Sequence, residues 1–119
     1  MNTQYNEATL NTKAYLEKTL HKVNDMHAAF LGEENTKARK GHLTDMRREE
    51  KFANDIFDKW VSLNHASAMQ ADAASLFSLR KQIHDPILDA RLDIIQREAE
   101  EEHLRKLQEE NEETPLYLD

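Results

Sequence analysis

A chain that changes direction often needs residues that break regular backbone, and this one has almost none. Gly32, Gly41, Pro86 and Pro115 are the only glycines and prolines in 119 residues. Loops must therefore be few and regular segments long. Apolar residues make up 39% of the chain, and they recur at steps of three and four rather than two. That spacing lines one face of a helix and argues for a folded chain, even though 33% of the residues are charged. No run alternates like a strand between turn residues, and no internal repeat is visible. The expected fold class is all-α: a bundle of three to four long helices with an extended acidic C-terminal helix end and a short tail. Residues 1–108 are expected to form the helical bundle domain, and 109–119 an acidic, flexible C-terminal tail.

The spacing predicts a first helix over 4–31. Tyr5, Ala8, Thr12, Leu16, Leu20, Val23, His27 and Phe30 line its face, and Leu10, Ala14 and Met26 widen it. Gly32 is the expected left-handed stop. The aperiodic run 33–43 reads as a connector, with Thr44 as the next N-cap. Met46, Phe52, Ala53, Ile56, Phe57, Trp60 and Leu63 then face inward and mark the centre of the core. Between Asn64 and Ser67 a helix break is favoured, with Asn64 ending one helix and Ser67 capping the next, although no Gly or Pro intervenes and the alanine-rich run that follows would also suit one continuous helix from Thr44 to His84. Met69, Ala73, Leu76, Phe77 and Ile83 carry the stripe onward. Asp85 and Pro86 read as the N-cap and first residue of a last helix, where the missing proline N–H costs nothing. Leu88, Leu92, Ile95 and Ala99 are expected inward, with Ile87 and Ile94 beside them.

Charge is unevenly placed. The formal net charge is -7. Residues 1–97 hold fourteen acids and fourteen bases, while 98–119 hold nine acids and two bases, so the whole imbalance lies in the last 22 residues. Acid-first pairs at i, i+4 (Asp93 with Arg97, Glu101 with Arg105, Glu102 with Lys106) support the outer helix at ~0.3 kcal/mol each. Its acids are expected to be solvent-facing, to keep the protein soluble, and to steer a basic partner.

Several chemistries are disfavoured by residue type and spacing. With no cysteine, disulfides, thiol catalysis and cysteine zinc sites are excluded. Six histidines are present, but none pair as His-x-x-x-His. A bridged di-iron bundle needs two Glu-x-x-His units, and only Glu100 with His103 forms one. No metal site and no cofactor are expected. There is no nucleophile elbow, phosphate loop or dinucleotide turn, and two glycines leave little material for the loops that build active sites. No apolar run approaches the ~20 residues of a membrane span, and the N-terminus lacks a signal-peptide pattern. A soluble, cytoplasmic protein is expected, without catalytic residues.

Arg97 and His103 are similar in spacing to the Arg-x(4–6)-His pair of the HEPN ribonucleases. The resemblance covers those two residues. It implies an all-helical nuclease domain in which the pair polarises a phosphate and moves a proton. Four of the five intervening residues are glutamates, whose field repels RNA.

Two features point to binding. Lys37, Arg39, Lys40, Arg47, Arg48 and Lys51 place six of the sixteen bases in fifteen residues. They could contact phosphate, or an acidic partner, from a loop that runs into a helix start. Leu116, Tyr117 and Leu118 form an apolar tag at the end of the acidic tether, suited to a groove or sheet edge on another protein. Long helices with wide apolar stripes leave surface that a homo-oligomer would cover. The expected function is a non-catalytic helical interaction protein (an assembly, adaptor or small inhibitor or regulatory role) that self-associates and binds a protein partner. Nucleic-acid contact through 37–51 is the alternative.

Overall fold

The computed structural model describes residues 3–63 and 71–113, with side chains described over 7–63 and 74–111. Three helices account for nearly all of them: α1 (Thr3–Gly32), α2 (Thr36–Leu63) and α3 (Ala71–Glu113). No strand occurs among the described residues. Every pair of helices packs together, in an up-down-up order. The all-α bundle expected from the spacing is the fold observed.

The core seam is coiled-coil-like. On α1, Thr9, Thr12, Leu16, Thr19, Val23 and Phe30 are buried, with Met26 partly so. Their spacing alternates three and four, which keeps one narrow face toward two neighbours. On α2 the same alternation runs through Arg39, Leu43, Met46, Ala53, Phe57 and Trp60. On α3 steps of three and four run through Leu76, Leu79, Ile83, Ile87, Ala90 and Ile94, with two fours in succession around Ile83. Polar seam positions are answered across helices. The Trp60 indole N–H donates to Thr9 Oγ1 at 3.0 Å, and no buried side-chain nitrogen or oxygen among the described residues lacks a partner. Phe77 and Phe57 meet edge to face with ring centroids 4.9 Å apart, which sets the first turns of α3 against the last turns of α2.

Several expectations are corrected. The connector is three residues, Glu33–Asn35, and not the eleven of 33–43. Asn35 is the N-cap: its Oδ1 accepts from the Ala38 N–H at 3.2 Å, and its carbonyl accepts the Arg39 N–H at 3.0 Å. Thr44 lies inside α2, where its hydroxyl donates back to the Lys40 carbonyl at 3.0 Å. Gly41 is therefore helical. Gly32 ends α1 without a left-handed turn, since no described glycine has positive φ.

The boundary at Asp85 and Pro86 is also absent. Pro86 lies within α3, and Asp85 bridges back to Lys81 at 2.9 Å. A proline inside a helix costs ~3 kcal/mol. Burial of each large apolar side chain contributes ~1.5–3 kcal/mol, and Ile83, Ile87 and Ile94 all lie on one face that a break would divide. The seam therefore outweighs the proline.

Continuity of α3 sets the phase of everything beyond Pro86. Leu88, Leu92 and Ile95, expected inward, are exposed, while Ile87, Ala90 and Ile94 are buried. On α2, Phe52, Ile56 and Leu63 were likewise expected inward and are exposed; on α3, so is Phe77. Leu10 and Ala14 lie outside the α1 face. The expected break at 64–67 and the side chains of Tyr5, Met69 and Ala73 fall outside the described residues.

The molecule is a rod measuring 87 × 24 × 18 Å. From Glu98 to Asn111 every residue of α3 is exposed; Glu98 and Glu101 still reach Lys40 and Thr36 at the start of α2, and beyond them the helix projects past the bundle. Segment 109–119 is helical through Glu113. In the projecting part Arg105 bonds Glu102 at 2.5 Å and Glu109 at 3.0 Å, in place of the expected Glu101.

Candidate interaction site

The six bases of 37–51 divide when they are placed on a helix. Arg39 points into the bundle and is 8% exposed. Its Nε donates to the Glu33 carbonyl at 2.6 Å, one terminal nitrogen to the Leu31 carbonyl at 3.1 Å, and the other to Asp93 Oδ2 at 2.8 Å. The guanidinium also lies 4.9 Å from the Phe30 ring centroid. Arg97 completes the arrangement, donating to the same Asp93 oxygen at 3.1 Å and to the Glu34 carbonyl at 3.0 Å. The two arginines thus satisfy the Leu31 carbonyl, which the end of α1 leaves without a helical partner, and the Glu33 and Glu34 carbonyls of the connector. This explains why Gly32 need not turn left-handed.

The other five bases share the outward face of α2, because residues 37, 40, 47, 48 and 51 fall within about 100° of one another at 100° per residue. All are exposed. Lys40 pairs with Glu98 at 3.3 Å and Arg48 with Asp45 at 3.6 Å. Lys37, Arg47 and Lys51 form no ion pair among the described residues. Arg47, Arg48 and Lys51 border an open depression of about 650 Å³ with Thr44, Glu50, Asn54 and Asp55. The expected basic segment is therefore a helical stripe about 21 Å long, with Arg39 removed from it.

The Arg97 and His103 pair does not assemble. Six positions along a helix turn the second residue about 240° from the first. Arg97 is held at the α1–α2 turn, and His103 is exposed on the projecting end. The remaining described histidines make cross-helix or local contacts: His27 Nε2 meets Asp89 Oδ2 at 3.0 Å, His84 Nδ1 meets Glu50 Oε2 at 2.7 Å, His42 meets Glu33 at 3.4 Å and His21 meets Asp25 at 3.7 Å. No group of three metal-ligating side chains occurs among the described residues. No described helix is long and apolar enough to cross a membrane. Leu116, Tyr117 and Leu118 lie outside the described residues.

The feature that the sequence reading misplaced is on α3. Leu88, Leu92, Ile95 and Ala99 follow one another at steps of four, three and four along a face roughly opposite the buried seam. Leu92 is 58% exposed and Ile95 62%. Two apolar sets at helical spacing within 87–99 were visible in the sequence as a sign that this helix serves two sides. Beyond Ala99, Leu104 and Leu107 remain exposed on the projecting end. Comparison of the chain with family models, curated proteins and solved structures finds no match.

Proposed function

We propose that this is a non-catalytic helical interaction protein that self-associates and binds a protein partner, in an assembly, adaptor or small inhibitory role. The observation that carries the reading is the second apolar face of α3, left outside a bundle whose own seam is already filled. Contiguous apolar surface on an otherwise charged protein marks an interaction site. The acidic projection beside it supplies charge that draws a basic partner and favours encounter over affinity. Leu116–Leu118, which follow that projection in sequence, serve as a docking tag. The test is co-purification from the native source with and without 115–119. Loss of a specific protein partner on truncation, with helicity unchanged, supports the reading. Unchanged capture removes the tag, and the absence of any protein partner removes the function.

A second reading draws on the basic stripe of α2. Lys37, Lys40, Arg47, Arg48 and Lys51 on one face match the requirement for phosphate contact along a duplex. Retention on immobilised DNA at low salt, lost in the variant R47E/R48E and falling steeply with added salt, would favour it. If the wild-type protein shows no retention, this branch is closed.

A further inference from the structure

We infer that the furrow between α2 and the first turns of α3 binds single-stranded nucleic acid. This rests on the second reading above, moves the contact from the α2 stripe into the furrow, and names the strand.

The depression bordered by Arg47, Arg48 and Lys51 does not end on α2. A second one of about 430 Å³ adjoins it, lined by Phe77, Arg80, Lys81 and His84 of α3, and the two share Glu50 and Asn54. Together they form one furrow with bases on both walls. Its acids are fewer and mostly engaged. Glu50 is held by His84 at 2.7 Å. At the rims Arg48 pairs with Asp45 and Lys81 with Asp85. Arg47, Lys51 and Arg80 are left without an ion pair among the described residues, against one carboxylate, Asp55, in the same state.

Arg47 and Lys51 stand about one turn apart, a spacing at which like charges repel and cost stability. An anion between them offsets that cost. The acidic end of α3 does not supply it. Glu98 lies about 21 Å along the helix from His84, more than twice the ~8 Å over which charge is screened at physiological salt.

Arg80 is prepared for such a ligand. Its guanidinium lies 4.9 Å from the centroid of the Phe57 ring. That contact holds the side chain by its flat face, while its N–H donors have no acceptor among the described residues. Phe77 lines the same depression, meets Phe57 edge to face, and is still 45% exposed. Cations beside an aromatic ring that is anchored yet open to solvent are the elements of a single-strand site: phosphates take the cations, and a base stacks on the ring. A duplex keeps its bases inside its own stack and offers none to Phe77. The furrow, between helices packed about 8–10 Å apart, is also narrower than the ~12 Å major groove of a duplex and takes one strand.

Fluorescence anisotropy on the full chain tests this, with a labelled twelve-nucleotide oligothymidine, an oligouridine of equal length and a duplex. Both single strands are expected to bind more tightly than the duplex at low salt. Three neutralised phosphates give a slope of about −2 in log affinity against log salt, and R80Q should reduce it by about 0.7. F77A is expected to weaken binding about tenfold with the slope unchanged, because stacking carries no charge. Should F77A lose helicity, R80Q and K51Q, both at exposed positions, decide. A duplex bound as tightly as the single strands, with F77A and R80Q without effect, overturns the furrow and leaves the stripe reading standing. Single strands displaced equally well by polyglutamate overturn it too, since any polyanion then suffices. No binding of either nucleic acid at low salt overturns both.

Discussion

The guanidinium of Arg39 reaches acceptors in three different segments: Leu31 at the end of α1, Glu33 in the connector and Asp93 on α3. A lysine offers a point charge and cannot serve all three. Arg39→Ala leaves two backbone carbonyls and a carboxylate without their donor. Because Asp93 is one-third exposed and keeps Arg97, the full penalty of a broken buried pair is discounted to about 2–3 kcal/mol. Urea unfolding of the monomer should show that loss, with Arg39→Lys intermediate. A loss below 0.5 kcal/mol would mean that the clamp is not structural. Farther out, the hydrogen bond from Arg105 holds the Glu102 carboxyl below its usual range, aided by the charges of Arg105 and Lys106. A depressed carboxylate contributes above its unfolded pKa and ceases to contribute as pH falls through its folded value. Helicity of the projecting end should therefore fall on acidification below the carboxylate range, while the bundle persists. Ellipticity at 222 nm against pH reads it, and a flat trace would show that the pair contributes nothing.

At the scale of elements, the departures from sequence expectation share one cause: residues that favour a break were overruled by the seam on either side. Gly41 and Pro86 were read as local punctuation. The alternation of three and four through Arg39, Leu43 and Met46, and through Ile83, Ile87 and Ala90, runs past them. The fold class and the α1 face were legible because Leu16, Val23 and Phe30 offer one unambiguous stripe. The site was not, because Ile87/Ile94 and Leu88/Ile95 are equally apolar, and only the phase fixed by Leu76–Ile83 decides which pair goes inside. Arg39 was misread because charge alone does not show that a helix end needs donors. Two substitutions separate the alternatives. A Cβ at Gly41 meets nothing within 4 Å, so Gly41→Ala should stabilise by about 0.5–1 kcal/mol; a flexible connector would gain less. Pro86→Ala should stabilise by about 1–3 kcal/mol, since it restores an interior helical hydrogen bond. Were Pro86 a first-turn residue, the same change would be neutral or harmful. Calorimetry on both variants decides.

On the scale of the whole molecule, a rod 87 Å long carries three surfaces of different character. The α2 stripe is basic, the projecting end of α3 is acidic, and the outer middle of α3 is apolar. A bundle of long helices with few loops offers much lateral surface, on which the proposed interaction role rests. All of this depends on which face of α3 is inside. The direct measurement is the helicity and melting of two variants at submicromolar concentration. L92E/I95E should keep wild-type ellipticity and melt within a few degrees of it, whereas I87E/I94E should lose its cooperative transition. The reverse outcome, unfolding by the outer pair and tolerance of the inner one, would contradict the account.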